Sequence, residues 1–289
     1  MQRSLPRLLV LLATLTAAGF PGAAGSAAVE DLPYPSKGAS WVWNAAGLVN
    51  APILLYHHIS EPNLSSRYFV SPADFAAQLE FLKREGYTPI SLSRLVTALV
   101  EGAWLPAKPV VITFDDGYRD VYQNAFPVMQ EYGFVGTIFV ITEQIGIGGY
   151  LTGEQIANLV NAGWELGSHS RTHANLRQPG VLVGDEILNS RMELEARFAA
   201  SVATFSYPYG LTTVAIRKLV EDSGYQAAVG LGGSSRHTKK TRYYLSRIEI
   251  RNGYDLQKFE ELLSPEAEAT RQTDNLELLD SLTGKKSWQ

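Results

Sequence analysis

Short apolar runs alternate with longer amphipathic segments from about residue 51 onward. Runs rich in branched and aromatic residues predict strands, and longer segments with apolar residues three and four apart predict helices. The segment at 71–86 is the clearest helix, because it opens with Ser71 as an N-cap and Pro72 at the first helical position. Two more helices are predicted at 184–198 and 212–224. The predicted strands are PILLYH, TPIS, VVITF, VGTIFVI, WELGSH, VATFSYP, YQAAVG and YLSRIEI.

This alternation predicts the fold class. Strands separated by helices indicate parallel βαβ units, and a chain of 289 residues with this pattern predicts an α/β fold. We expect a distorted (β/α) barrel of about seven strands in a single domain. The barrel is assigned to 51–263, after an irregular lead-in at 29–50 and before a polar C-terminal tail at 264–289. In such barrels the chemistry gathers at the C-terminal ends of the strands.

The segment 1–28 has the layout of a secretory signal peptide. Arg3 and Arg7 precede a short apolar stretch at 8–18, and small residues follow before a cleavage point near Ala28. The apolar stretch is shorter than the ~20 residues that a membrane span needs. The sequence therefore predicts a secreted or periplasmic protein with no membrane span once the signal peptide has been removed.

Composition and charge narrow the chemistry. The chain has no cysteine, which excludes disulfides, thiolate nucleophiles, thiolate metal ligands and a lipid-modified cysteine. A formal net charge of −4 gives no electrostatic basis for binding nucleic acid. A metal site in this protein must therefore use histidine and carboxylate ligands.

The run VVITFDDGY ends a predicted strand in two adjacent carboxylates, Asp115 and Asp116. Adjacent side chains of a strand face opposite ways, but Gly117 permits a sharp turn that brings both carboxylates to the mouth of the barrel. Taken alone, the same residues also fit a plain Asp-Gly turn without a function.

The run WELGSHSRTH ends another predicted strand at His169, with His173 four residues later. This spacing brings two imidazoles close enough to bind one metal ion, and one aspartate completes a three-ligand site with positions left for water. Catalytic zinc uses such a site, and iron(II) also binds two histidines and one carboxylate. The spacing does not distinguish the two metals.

A third predicted strand, in TFSYPYG, leads into Tyr207, Pro208, Tyr209 and Gly210. One interpretation is a simple bend between a strand and a helix. The other is a rigid turn that presents a backbone N–H group and aromatic faces to a sugar ring. Both interpretations remain open at this point.

Together these three stretches resemble the polysaccharide deacetylase family, also called the NodB-homology family or carbohydrate esterase family 4. TFDDG and HSRTH match its first two motifs, and the resemblance covers about residues 51–250. It implies that Asp115 is the catalytic base and that Asp116, His169 and His173 bind a divalent metal. Zn²⁺ is the expected ion, with Co²⁺, Ni²⁺ and Fe²⁺ as alternatives.

Two positions depart from the family pattern. The third family motif begins with arginine, whereas Ser206 occupies that place here. The last motif supplies a histidine as the general acid, whereas this chain has Leu245 and Arg247 in the corresponding strand. His237 lies in the polar stretch SSRHTKKTR and is predicted to be solvated. These motifs therefore leave the general acid unassigned.

The opening ILLYHHIS supplies a candidate. A parallel strand at 53–57 delivers His57 to the barrel mouth, and PILLYHHI resembles the exported biofilm-polysaccharide deacetylases, in which an N-terminal histidine replaces the late one. The resemblance makes His57 the general acid that the reaction needs, with His58 as the second candidate or an orienting neighbour. The alternative for His57 is a hydrogen-bonded core histidine. Arg247 is predicted to orient Asp115.

The predicted function is metal-dependent hydrolysis of N-acetyl groups on an extracellular or cell-wall polysaccharide. The resemblance points to poly-β-1,6-N-acetylglucosamine, with peptidoglycan, chitin oligomers and acetylated xylan as alternatives. Tyr207, Pro208 and Tyr209 are predicted to contact the sugar, and the backbone N–H of Tyr209 to stabilise the oxyanion. A polysaccharide-binding protein with weak catalysis is the alternative of another class. The machinery that makes or exports the polymer is a further expected partner.

Overall fold

The computed structural model describes residues 40–61 and 66–264. The predicted signal peptide, the first half of the lead-in (29–39) and the polar tail beyond Ser264 lie outside the described residues. Within these residues, no helix is both long enough and apolar enough to cross a membrane.

The described part of the chain alternates strands and helices. Its strands are β1 Trp41–Asn44, β2 Leu48–Asn50, β3 Ile53–Tyr56, β4 His58–Ile59, β5 Phe69–Val70, β6 Thr88–Pro89, β7 Ala103–Pro106, β8 Pro109–Phe114, β9 Thr137–Val140, β10 Glu165–Ser168, β11 Thr204–Ser206, β12 Ala227–Val229, β13 Arg236–Thr238 and β14 Ile248–Glu249. Its α-helices are α1 Pro72–Arg84, α2 Leu92–Val100, α3 Phe126–Tyr132, α4 Gly153–Asn161, α5 Ser190–Phe198, α6 Val214–Asp222 and α7 Leu256–Leu262.

One curved parallel sheet organises the fold. Its strands follow the order β12-β11-β10-β9-β8-β3-β14, and β6 lies beside β8. All of these neighbours are parallel. A parallel bridge between Val229 and Leu245 joins the two ends of the sheet. The structure confirms the predicted α/β class and a distorted barrel of seven strands, and each predicted strand run contains one strand of this sheet.

Side chains alternate between two apolar layers along each strand. In β8, Val110, Ile112 and Phe114 belong to the cluster that packs against the outer helices, whereas Val111 belongs to a second cluster that includes α2. Successive side chains of a strand face opposite sides of a sheet. We call the side of Val111 the inner face. Every residue of β8 is buried, as expected for a parallel sheet covered on both sides.

The predicted helices are present. Ser71 accepts a hydrogen bond from the N–H of Asp74 at 3.0 Å and caps α1 as predicted. The segment predicted at 184–198 is a π-helical turn, Asp185–Asn189, that continues into α5. The third predicted helix, α6, begins after Thr213, which caps it. Helices α2, α3, α4 and α7, of seven or nine residues, were not predicted.

The lead-in is not irregular from Trp41 onward, and that part of the prediction is wrong. Strand β1 pairs antiparallel with β7, and β2 pairs antiparallel with β13. Strands of three and four residues carry too little alternation to be recognised in a sequence. The prediction of a solvated His237 is also wrong. His237 lies in β13, is fully buried, and its Nε2 is 3.0 Å from the carbonyl oxygen of Ala51.

Candidate active site

The two aspartates lie where β8 ends. The N–H of Asp115 donates to the carbonyl of Tyr56 at 3.0 Å, so this residue continues the pairing with β3. Counted from Val111, its side chain falls on the inner face. Asp116 then adopts a left-handed φ of 70°, and Gly117 one of 79°. This turn places both carboxylates at the same end of the barrel, as predicted.

Arg247, the residue before β14, forms a bidentate ion pair with the Asp115 carboxylate. Its Nη1 and Nη2 donate to the two carboxylate oxygens, both at 2.7 Å, and its Nε donates to the carbonyl of Gly230 at 3.0 Å. The hydroxyl of Ser206 donates to Asp115 Oδ2 at 2.9 Å and accepts from Arg247 Nη2 at 2.9 Å. The chain thus has an arginine on Asp115, although it comes from a different strand than the family's third motif.

This contact controls the charge of Asp115. Both Asp115 and Arg247 are buried. Burial alone raises the pKa of the carboxyl group, but the charge and the hydrogen bonds of Arg247 outweigh it and hold the pKa of Asp115 well below its usual range. Asp115 is therefore ionised at any ordinary pH while it is shielded from water.

Three potential ligand atoms converge beside Asp115. Asp116 Oδ1 is 3.3 Å from His169 Nε2 and 3.4 Å from His173 Nε2, and ligand atoms of the three residues all lie within 4.8 Å of one another. The Nδ1 of His169 is 2.8 Å from the carbonyl oxygen of Ser206. A proton on Nδ1 satisfies that carbonyl and leaves the Nε2 lone pair free for a metal.

The charges and hydrogen bonds at these three residues fit a bound cation. Asp116 Oδ1 is buried and has no hydrogen-bond partner among the described residues, and a buried carboxylate oxygen without a partner is costly. Burial is the largest cause that lowers the pKa of His173 to about 4, and this keeps its imidazole in the neutral form that binds metals. Two histidines and one carboxylate leave positions open for water and substrate.

The inner-face alternation separates the two adjacent histidines. His57 follows β3 on the side of Ile53 and Leu55, and it lines a cavity of about 120 Å³ together with Asp115. His58 falls on the opposite side. Its ring stacks on that of Tyr118 at a centroid distance of 3.5 Å, and its Nδ1 is 2.6 Å from Asp120 Oδ2.

The His57 imidazole at the cavity wall is buried beside an aromatic ring and two carboxylates. Its Nδ1 is buried and has no hydrogen-bond partner among the described residues, and its ring lies 4.5 Å from that of Tyr68. Burial lowers the pKa of His57, although the negative charges of Asp115 and Asp116 act in the opposite direction.

The three residues predicted to contact sugar differ in exposure. Tyr209 is 55% exposed, adopts a left-handed φ of 61°, and its ring lies 4.6 Å from that of His173. Tyr207 and Pro208 are buried, and the Tyr207 hydroxyl donates to the carbonyl of Tyr243 at 2.9 Å. Tyr207 nevertheless lines the same cavity as Tyr209, so the sugar contacts of Tyr207, Pro208 and Tyr209 stay predictions.

Sequence reasoning missed part of the cavity wall. Arg67, Tyr68 and Glu249 line the cavity, and Arg67 Nε is 3.3 Å from Glu249 Oε1. A signal for Glu249 existed in YLSRIEI, because Glu249 lies two residues after Arg247 and so faces the same side of the strand. The chain near Arg67 shows no comparable pattern.

Comparison with known proteins points to one family of enzymes. A family model described as polysaccharide deacetylase matches residues 104–228. The Bacillus subtilis protein YxkH, provisionally named a polysaccharide deacetylase, is 33% identical over 205 residues, which span 70% of this chain and 72% of YxkH. A poly-β-1,6-N-acetyl-D-glucosamine N-deacetylase of Staphylococcus aureus is 24% identical over 198 residues, which span 63% of this chain and 68% of that enzyme.

Solved structures share the fold. The Streptococcus pyogenes deacetylase PplD superposes with a TM-score of 0.68 at 24% identity, over 75% of this chain and 99% of that one. IcaB from Ammonifex degensii superposes with a TM-score of 0.63 at 24% identity, over 76% of this chain and 99% of that one. With the similarity to YxkH, the chain belongs to the polysaccharide deacetylase (NodB-homology) family and is an N-deacetylase of the hydrolase class.

Proposed function

We propose that this deacetylase removes N-acetyl groups from an extracellular or cell-wall polysaccharide by metal-dependent hydrolysis, with poly-β-1,6-N-acetylglucosamine as the first candidate substrate. The observation that carries the proposal is the arrangement around one cavity. Asp115, His57 and the two histidines of the potential metal site all line it. Amide hydrolysis needs a base, an acid and a stabilised oxyanion, and this cavity holds a candidate for each.

The potential metal site and the base act on the attacking water. Asp116, His169 and His173 would hold the ion, and Zn²⁺ bound there would lower the pKa of a coordinated water to about 7 and polarise the acetyl carbonyl. Asp115 accepts the proton of the attacking water at a carboxylate oxygen. Arg247 and Ser206 fix the orientation of that carboxylate and keep it ionised. General base catalysis of this kind contributes about 10²- to 10⁴-fold.

His57 supplies the proton that the leaving amine needs. It lines the same cavity as the base and directly follows the fully buried strand β3. A lowered pKa makes its imidazolium form a stronger acid, which favours proton transfer to the amine. The amine leaves as a glucosamine unit, and acetate is the second product.

Tyr209 contributes through its backbone. Its left-handed φ is unusual for a tyrosine, and backbone strain of this kind persists where the surrounding structure enforces it, often at functional sites. In this proposal its N–H donates to the oxyanion, which is worth about 3 kcal/mol per donor. Its exposed ring lies at the cavity wall, where it can contact a sugar ring.

Two observations support an enzyme over a weakly catalytic binding protein. Both departures from the family motifs have a substitute near Asp115. Arg247 makes the contact that a motif arginine would make, and His57 offers the acid that the late strand lacks. The similarity to the Staphylococcus aureus enzyme supports the β-1,6-linked polymer, while peptidoglycan, chitin oligomers and acetylated xylan stay alternatives.

The test is acetate release from β-1,6-linked N-acetylglucosamine oligomers, with the alternative polymers assayed in parallel. A chain that begins at Val29 would be assayed with added Zn²⁺, with a chelator, and as the variants His57→Ala and His58→Ala. We expect release that depends on metal and falls about 10²- to 10⁴-fold in His57→Ala. His58→Ala is the matched control and should lose far less, because His58 faces away from the cavity.

Two results would contradict the proposal. Full release by His57→Ala would remove His57 from the role of acid. No release from any of the four polymers, in protein that binds Zn²⁺, would favour a polysaccharide-binding protein. Export is proposed on the signal-peptide pattern of residues 1–28 alone, and detection of a mature chain beginning near Val29 outside the cytoplasm would test it.

A further inference from the structure

The loop that follows β10 carries the ligand His173 in an unfavourable backbone conformation. Ser170 and His173 both adopt left-handed φ angles, 63° and 64°, and neither residue is glycine. Such conformations persist only when surrounding contacts enforce them. The carbonyls of Ser170 and Arg171 accept hydrogen bonds from the N–H groups of Thr142 and Glu143, at 3.2 and 3.0 Å. These contacts fix the carbonyl side of the loop.

A single carboxylate binds the other side of the same loop. Glu186 Oε2 accepts from the N–H of Arg171 at 3.0 Å and from the N–H of Thr172 at 2.9 Å. Glu186 Oε1 accepts from the Thr172 hydroxyl at 2.7 Å. Glu186 comes from the π-helical turn ahead of α5 and is 7% exposed. Three donors immediately before His173 therefore depend on one side chain from another element.

The Glu186 carboxylate is ionised in this setting. Burial alone would raise its pKa, but the hydrogen bonds from Thr172 and from the N–H of Arg171 outweigh burial and hold the pKa of Glu186 below its usual range. Hydrogen bonds to a charged acceptor are stronger than those to a neutral one. A neutral amide at this position would also turn one acceptor atom into a donor, and that donor would face N–H and O–H groups.

We propose that Glu186 is a positioning residue that sets the metal affinity of the Asp116–His169–His173 site by fixing the loop that carries His173. The inference rests on the proposed metal-dependent function. Glu186 lies outside the ligand set, but residues that orient ligands commonly change metal affinity 10- to 100-fold when they are replaced. In this chain the orientation acts through the backbone that leads into His173.

Glu193 provides a matched control. It contacts the same loop, but only through the side chain of Arg171, whose Nε is 3.2 Å from Glu193 Oε1. Both side chains are substantially exposed, and Arg171 also pairs with Glu143 at 3.2 Å. Removing the Glu193 charge should therefore leave the backbone of the loop and the His173 imidazole where they are.

The experiment measures Zn²⁺ affinity rather than catalysis. The dissociation constant of the whole chain is obtained by competition with a chromophoric chelator, at a temperature where each variant is folded. We expect Glu186→Gln to bind Zn²⁺ about 10- to 100-fold more weakly than the natural protein, and Glu193→Gln to bind as the natural protein does. Thr172→Val removes only the hydroxyl donor and should weaken binding by about two- to tenfold.

The possible outcomes are separable. A Glu186→Gln variant with reduced thermal stability but the natural dissociation constant would overturn the proposal, because Glu186 would then serve the fold alone. If Glu186→Gln does not fold, Thr172→Val decides, and an unchanged dissociation constant there overturns the proposal. Absence of Zn²⁺ binding by the natural protein would overturn the proposed metal site itself, and with it the role of Glu186.

Discussion

Two enclosed carboxylates lie on the inner face of the barrel at opposite ends. Asp115 follows β8 at the carboxyl end, and Glu165 begins β10 at the amino end. Glu165 accepts from the N–H of Ser93 in the first turn of α2 and from the Thr204 hydroxyl, both at 2.8 Å. Asp115 instead accepts hydrogen bonds at both carboxylate oxygens from the guanidinium group of Arg247. Both carboxylates have hydrogen-bond partners, but within the described residues only Asp115 is paired with a charged side chain, that of Arg247.

This difference gives the two groups opposite behaviour. Glu165 keeps some exposure as a residue, but its carboxylate is enclosed by protein, and that burial raises its pKa despite the hydrogen bonds from Ser93 and Thr204. For Asp115 the same effect of burial is outweighed by Arg247. A cavity lies beside Asp115 and holds candidate ligands. A shifted pKa therefore does not identify the active site by itself. The charged partner Arg247 and the adjacent cavity distinguish Asp115 from Glu165.

The largest expected effect separates the two carboxylates by catalysis. Asp115→Asn should lower the rate of acetate release about 10²- to 10⁴-fold, because an amide cannot accept the proton of the attacking water. Glu165→Gln makes the same isosteric change at the other end of the barrel and should leave the rate near the natural level. The comparison uses rates per folded molecule, with folding checked by circular dichroism. Equal losses in both variants would contradict the assignment of Asp115 as the base.

Much of the site could be predicted from strand ends. Inner-face alternation places Val111, Thr113 and Asp115 on one side of β8 and its continuation, and Leu55 with His57 on one side of β3. The carboxyl ends of parallel strands meet at one end of a barrel, and this brings the sequence-predicted residues together. The same alternation could also have separated His57 from His58.

Other features depend on contacts that no local pattern records. His237 looked solvated because its neighbours are polar, but its partner is a carbonyl 186 residues away in the chain. Glu165 and Ser93 are 72 residues apart, and nothing near either residue signals their contact. The hydrogen bonds that Glu186 accepts from the His173 loop likewise depend on where the fold places the π-helical turn before α5. Such partners become visible only once the fold has placed them.

A second, smaller effect concerns how much Arg247 contributes to the free energy of unfolding through its ion pair with Asp115. Arg247→Met leaves Asp115 as a buried charge without its cation and should lower the free energy of unfolding by about 3–5 kcal/mol. The pair of Arg67 with Glu249 is the control, because Arg67 is about half exposed and the enclosed Glu249 keeps a second cation, Arg251, at 2.6 Å. Arg67→Met should cost about 0–1 kcal/mol. Urea unfolding of metal-free protein measures both.

The double variant Arg247→Met with Asp115→Asn tests whether the loss comes from the unpaired charge. Removing both partners should cost less than the two single changes together, because no uncompensated charge remains in the barrel. Additive losses would mean that Arg247 stabilises the fold through its other contacts, such as the bond to the Gly230 carbonyl.

The smallest expected effect is on the pH dependence of stability, to which Glu165 and Asp115 contribute with opposite signs. The pKa of Glu165 in the folded state lies above the unfolded value of about 4.3. Its stabilising contribution is therefore fully present below about pH 4.3 and is lost as pH rises through the folded pKa. For Asp115 the folded pKa lies below the unfolded value of about 3.9. Its contribution is present above about pH 3.9 and is lost as pH falls toward the folded pKa.

Amide variants remove each titration in turn and so reveal the sign. As pH rises from about 4 to 7, Glu165→Gln should gain stability relative to the natural protein, because only the natural protein must ionise an enclosed carboxyl group. Asp115→Asn should gain relative stability in the opposite direction, as pH falls below about 4. A pKa difference of one between the folded and unfolded states corresponds to about 1.4 kcal/mol, which urea unfolding of metal-free protein resolves. Curves with the same sign for both variants would show that Arg247 does not distinguish the two carboxylates.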